Sequence, residues 1–246
     1  MEKVTIEKEG STMIIGINRS EKKNAIDSET AAALNDAFTE FEFSDSRVAV
    51  ITGIGDSFSA GADLNDADAL SRRVSDGNGP LGITRRFISK PVIAAISGYC
   101  VAGGLELALW ADIRVADETA KFGFLERRYG IPLIDGGTQR LPLIIGLGRA
   151  LDLIMTGRLI QADEAFNIGL VNYIVKGSDL LKISIEIAEK ISSYPWKTLL
   201  RDRWSVYLGL GNNPYGSLTT EAVFGRETVD EGIVKDGSEK FRSGVR

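Results

Sequence analysis

A chain of 246 residues with 43% hydrophobic and 26% charged residues suits one large soluble domain, or one domain with a helical appendage. Its net charge of −5, with no basic run, argues against nucleic acid as a partner, and no apolar stretch approaches the roughly 18 residues a bilayer crossing needs. The charged, alternating Met1–Gly10 does not read as a signal peptide, and a single cysteine, Cys100, leaves no intrachain disulfide, so a reducing cytoplasm is the expected setting.

In chain order, Val4 and Ile6, then Met13, Ile15 and Ile17, alternate around Gly10-Ser11 and predict a β-hairpin. Asp27 or Ser28 can cap a helix whose apolar face carries Leu34, Phe38 and Phe41. Buried strands are predicted over residues 47–52, 91–97 and 113–117. Polar, irregular chain fills about 65–90 between the first two, including a loop at 75–80. Strands alternating with helices predict an α/β fold with parallel strands. From about Asp135 the pattern is helical, broken at Gly146 and Gly157. Residues 162–168 and 180–191 read as helices, with a short strand at 171–175 between them. The last fifty residues read as helical, interrupted by Gly209, Gly211 and Pro214. A boundary near 190 therefore divides a core domain, 1–190, from a helical module, 191–246.

The chain contains no histidine, so proton transfer near neutral pH falls to other groups, and a carboxyl in an apolar setting is the usual substitute. Glu106 stands alone among apolar residues in Leu105-Glu-Leu-Ala-Leu-Trp110. A lone carboxylate there is costly unless paired, protonated or functional. Glu126 lies twenty positions on, in Lys121-Phe-Gly-Phe-Leu-Glu-Arg-Arg-Tyr-Gly130, where Arg127 and Arg128 could hold it in a plain salt bridge. Two small-residue loops each follow a predicted strand: Ser59-Ala-Gly-Ala62, with Asp63 capping the next turn, and Ala102-Gly-Gly104, opening the Glu106 helix. Two such loops can aim one N–H apiece at a common point, which is the geometry of an oxyanion hole. Neither has the spacing of a phosphate-binding or dinucleotide loop. A carboxylate-pair glycosidase is the generic alternative, but its mechanism has no use for the two loops.

Ala60-Gly-Ala-Asp-Leu64, Gly98-Tyr-Cys-Val-Ala-Gly-Gly-Leu-Glu-Leu107, the Glu106-to-Glu126 spacing and Gly136-Gly-Thr-Gln-Arg-Leu141 together resemble the crotonase (enoyl-CoA hydratase/isomerase) superfamily. Asn24-Ala25 and Ala165-Phe-Asn-Ile-Gly-Leu-Val171 are similar to it as well. The resemblance implies a crotonase (ClpP/crotonase-like) fold of repeated ββα units with a helical C-terminal region, assembled as a homotrimer or homohexamer. It implies an acyl-CoA thioester as substrate and no cofactor, coenzyme A being part of the substrate, and no metal. By position, Ala62 and Gly103 would donate the oxyanion N–H groups. Lys23, Ala25, Ala60, Ala62, Asp63, Leu64 and Gly103 would line the coenzyme A path. Glu106 and Glu126 would be the acid/base pair that hydrates a trans-2-enoyl-CoA, with a double-bond isomerase or a non-catalytic acyl-CoA binder as the alternatives.

The chain departs from the family pattern in places. Asn65 stands where a lysine often meets the coenzyme A phosphates, leaving Lys22 and Lys23 as candidates or as a plain solvated pair. Ile134 replaces a small residue, and Asp135 adds a third acid, read here as the N-cap of the following helix. Cys100 has no histidine to activate it and reads as a small core residue; Trp110 and Trp204 read as packing, and Asp163 and Glu164 as helix-start charges.

Overall fold

The computed structural model describes residues 2–66, 69, 72–73, 77–211, 223, 225–227 and 230–231. Part of the 75–80 loop, Pro214 and the chain end at 241–246 lie outside the described residues. The chain forms two compact units, 1–189 and 190–246.

In the first unit the hairpin forms as its alternation predicts. Strand β1 (Val4–Glu9) pairs antiparallel with β2 (Thr12–Ile17), and Gly10 turns the chain at φ +57°. Helix α1 (Ser28–Phe43) follows. Asp27 caps it, accepting from the Thr30 N–H at 2.8 Å, and Leu34, Phe38 and Phe41 are fully buried. Strands β3 (Val48–Gly53), β4 (Val92–Ile96), β6 (Ile113–Asp117) and β9 (Tyr173–Val175) then join β2 in parallel, giving a six-stranded sheet ordered β1-β2-β3-β4-β6-β9. Strand β4 is buried at every position, as a continuous apolar run between two covered faces should be.

The pattern of alternation did not anticipate a second sheet, in which β5 (Tyr99–Val101) runs parallel to β7 (Lys121–Gly123), and β7 pairs antiparallel with β8 (Ile160–Gln161). These strands have two or three residues, too short for a period of two to register. The helices that follow are α2 (Gly103–Trp110), α3 (Gly137–Ile145), α4 (Leu147–Thr156), α5 (Ala162–Asn167) and α6 (Leu180–Ser192). Trp110 packs edge-on against Phe38 at 5.0 Å and donates its indole N–H to the Arg86 carbonyl at 2.8 Å, a packing role. Buried Cys100 has its thiol pKa pushed up by desolvation, which makes it inert.

In the second unit, α7 (Trp196–Gly209) carries half-buried Trp204, and Lys197 and Arg201 pair with Glu231 at 3.1 and 2.6 Å. Among the described residues no helix is long and apolar enough to cross a membrane.

Candidate active site

The small-residue loop after β3 is stitched to β5. The Ser59 N–H donates to the Tyr99 carbonyl at 2.9 Å and the Val101 N–H returns to the Ser59 carbonyl at 3.1 Å. This pairing lays the two loops side by side. A Cβ at Gly104 would sit 2.3 Å from the Ser59 carbonyl oxygen, and one at Gly61 would sit 2.7 Å from the Gly103 nitrogen, so the approach demands glycine at both. A Cβ at Gly103 would lie 3.6 Å from the Ala62 nitrogen. The turn out of β5 into α2 passes through Ala102 at φ +52°, ψ −132°, a conformation strained for an L-residue. The β5–β7 pairing holds it there, through an Ala102 N–H bond to the Gly123 carbonyl at 2.9 Å. Among the described residues neither the Ala62 nor the Gly103 N–H donates a hydrogen bond.

Both residues border a cavity of about 530 Å³. Its wall includes Ala60, Ala62, Leu64 and Gly103 from the residues expected at the site, together with Glu106, Glu126, Ile134 and Asp135. Most of the remaining wall is apolar, with Val101, Leu125, Ile131 and Pro132. Lys23, Ala25 and Asp63 are not on it. Lys23 pairs with Asp56 at 2.5 Å on the exposed surface, and the Ala25 carbonyl accepts from the Arg19 guanidinium. The Asp63 carboxylate takes the Arg19 guanidinium at 2.9 Å and the Asn65 N–H at 3.0 Å. Asp63 thus caps its own turn, as expected, and holds the loop rather than facing the cavity.

Sequence reading missed Arg19, which ties the loop to the first helix through Asp63 and Asp27. It also missed what Asn24 does. Its side-chain amide donates to the Ile54 and Ser57 carbonyls at 3.0 and 2.6 Å, and its backbone carbonyl accepts from the Ser59 hydroxyl, which in turn receives the Gly61 N–H. Asn24 adopts φ +55°, one of the few non-glycine residues suited to it.

Glu106, on the first turn of α2, is 3% exposed. Its Oε1 accepts the Gly137 N–H at 2.8 Å and the Asp135 N–H at 3.0 Å. Burial raises its pKa to about 7; the Gly137 and Asp135 amides oppose that, and the charges of Asp135 and Glu126 add to it. Glu126 opens the 3₁₀ turn Leu125–Tyr129 just after β7, is 7% exposed, and is likewise raised to about 7, chiefly by burial. Both of its carboxyl oxygens are buried and neither accepts a hydrogen bond, so the salt-bridge reading through Arg127 or Arg128 fails. Those side chains sit on the exposed end of the turn.

Asp135, 3% exposed, does not cap α3. The N-cap is Gly136, at φ +102°, and makes no side-chain capping bond. The Asp135 Oδ1 instead accepts the Leu81 N–H at 3.2 Å and the Thr84 hydroxyl. The cap expectation failed because the 79–84 segment, distant in sequence, supplies better donors.

A carboxyl whose folded pKa is raised stabilises the fold fully below its unfolded pKa, and that contribution is lost as pH rises through the folded pKa. For Glu106 the window runs from 4.5 to about 7. Glu106→Gln, which keeps an acceptor for the two amides, therefore gains stability relative to the parent by roughly 2–3 kcal/mol between pH 5 and pH 8. Denaturant unfolding at the two pH values measures this. A constant difference between the two proteins would rule out a proton buried on Glu106.

The enoyl-CoA hydratase/isomerase family profile matches residues 7–202. The short-chain-enoyl-CoA hydratase of Clostridium acetobutylicum is 42% identical over 196 residues, 77% of this chain and 75% of that protein. The crotonyl-CoA hydratase of Syntrophomonas wolfei is 41% identical over 198 residues, 78% of this chain and 76% of that protein. The crystal structure of enoyl-CoA hydratase from Bacillus anthracis superposes with a TM-score of 0.92 at 31% identity, covering 99% of this chain and 97% of that one.

Proposed function

The chain belongs to the enoyl-CoA hydratase/isomerase family and has its fold, and from that premise we propose that it hydrates trans-2-enoyl-CoA thioesters to 3-hydroxyacyl-CoA. The observation that carries the reading is the pair of buried carboxyls, Glu106 and Glu126, both raised to about 7, on one cavity wall with two undonated backbone N–H groups. The thioester carbonyl accepts the Ala62 and Gly103 N–H groups and is polarised. Two amide donors on Oε1 favour the charged form of Glu106, so Glu106 is the base. The carboxyl of Glu126, desolvated and with no hydrogen bond to favour its charged form, is the acid.

Glu106 takes a proton from water as its oxygen bonds to Cβ. The Cα–Cβ π electrons move toward Cα–C(O), and the carbonyl pair settles on the thioester oxygen as an enolate. The two N–H groups stabilise that oxygen, each by about 10²–10³ in rate. As the carbonyl re-forms, Cα takes the Glu126 proton. Exchange with solvent returns a proton from Glu106 to Glu126 and restores both groups. The substrate supplies the coenzyme A and the chemistry uses no other cofactor.

A second reading, double-bond isomerisation on the same scaffold, is favoured by the third acid, Asp135, on the cavity wall. Assaying the protein with 2-enoyl-, 3-enoyl- and 3,5-dienoyl-CoA esters separates the two. Hydration of crotonyl-CoA is the expected result, and double-bond migration without hydration would overturn it. We also propose self-association into trimers or hexamers, which Leu147, Leu151 and Met155 support, because they leave an exposed apolar stripe along α4. Light scattering at micromolar concentration should give a multiple of three protomers, and a stable monomer would refute it.

A further inference from the structure

We propose that Asp135 is a positioning residue, whose side chain latches segment 79–84 to segment 131–137 and so holds the two amides that orient Glu106, and whose charge sets the pH range over which Glu106 works as a base. The proposal rests on the reading of Glu106 as that base.

The latch is built from both sides. The Asp135 Oδ1 accepts the Leu81 N–H and the Thr84 hydroxyl. Arg140 donates to the Asp135 carbonyl at 2.8 Å and to the Thr84 carbonyl, and Arg85 donates to the Ile134 carbonyl at 2.8 Å. Gly79, at φ +81°, comes so close that a Cβ there would lie 2.5 Å from the Thr84 hydroxyl and 3.1 Å from the Asp135 Oδ1. Two backbone stretches about fifty residues apart are thereby held at one carboxylate. The same residue presents its own N–H to Glu106, and Gly137 two positions on presents the second. With Oε1 taken by those two amides, the other carboxyl oxygen of Glu106 is the one left to meet a reacting water. A slip of the 131–137 segment would release Glu106 into another rotamer, and a displacement of about 1 Å at a catalytic group can cost 10² in rate.

Charge works alongside geometry. The ionisable groups acting on Glu106 are Asp135 and Glu126. Arg127 stands near Glu126, and Arg85 and Arg140 near Asp135. Burial raises the Asp135 pKa, opposed by the Thr84 hydroxyl, the Leu81 amide and the two arginines. An ionised Asp135 makes it harder to place a second negative charge on Glu106, so it moves Glu106 toward higher pH.

Asp135→Asn separates the two roles, since an amide oxygen still accepts from Leu81 and Thr84 while the charge is gone. The acid limb of kcat/KM for crotonyl-CoA should move to lower pH by about half a unit or more. In Asp135→Leu the latch is lost, and kcat should fall at least about tenfold with KM changed far less. Should Asp135→Leu fail to fold, Thr84→Val weakens the latch from the other side, keeps the acid, and should lower kcat in the same sense.

A titration of the free protein labelled with [δ-¹³C]glutamate, with Glu106 assigned by the resonance missing in Glu106→Gln, reads the charge effect without turnover. Its midpoint should be lower in Asp135→Asn. A parent that hydrates no enoyl-CoA ester would remove the proposed function while leaving this titration to report on Asp135. An unmoved Glu106 midpoint would overturn the charge role. Parental kcat in Asp135→Leu, or in Thr84→Val where the leucine variant does not fold, would overturn the latch.

Discussion

Glu106→Gln and Glu126→Gln should each lower kcat for crotonyl-CoA hydration by at least about 10², or about 2.7 kcal/mol of transition-state stabilisation. Glutamine is nearly isosteric with glutamate and cannot exchange a proton, so the loss reports proton transfer. The environments of the two residues make the experiment sharper. At position 106 an amide oxygen still accepts the Asp135 and Gly137 N–H groups, so placement survives and only basicity is lost. At position 126 neither carboxyl oxygen accepts a hydrogen bond among the described residues, so the substitution breaks none. The limbs of the pH profile should part accordingly. Glu106→Gln loses the acid limb, because no base remains to be protonated, and Glu126→Gln loses the alkaline limb, because no acid remains to be deprotonated. Steady-state kinetics from about pH 5 to 9 on both variants provides the check. A parental rate in either would remove that residue from the mechanism.

Ala62→Pro removes one of the two N–H groups proposed as oxyanion donors, and should lower kcat by about 10²–10³. The Ala62 N–H donates no hydrogen bond among the described residues in the free protein, so its loss orphans no partner. A drop in kcat with KM and melting temperature little changed would mark a contact made mainly in the transition state. Equal losses in stability and activity would instead mean that the ring disturbs the loop, and parental kcat would remove Ala62 from the oxyanion site. Gly61→Ala is the contrasting variant. Its Cβ would press within 2.7 Å of the Gly103 nitrogen from a backbone at φ +89°, so it should disturb both donors and the fold together.

Much of this arrangement could be read along the chain because the relevant physics is local. The Asp27 cap, the Leu34-Phe38-Phe41 face and the alternation through β1 and β2 depend on neighbours a few residues apart. Glu106 could be singled out because an unaccompanied carboxyl in an apolar helix is costly wherever that helix packs. Glycines at 61, 103 and 104 marked close backbone approach without saying what approaches.

What faces what was decided only by tertiary structure. The strands of the second sheet are two or three residues long and carry no readable period, yet β5 and β7 set the Ala102 turn and deliver Glu126 to the wall that holds Glu106. Arg127 and Arg128 are covalent neighbours of Glu126, but both lie exposed while its carboxyl is buried, and neither makes a salt bridge to it. Asp135 looked like a helix cap because capping is a local rule. It became a latch because Leu81 and Thr84, more than fifty positions away, reach it first. Residue type and spacing thus determined which groups could do chemistry. Desolvation and long-range hydrogen bonding, which exist only once the chain has folded, decided which carboxyl is held, which is left unpaired, and at what pH each carries its proton.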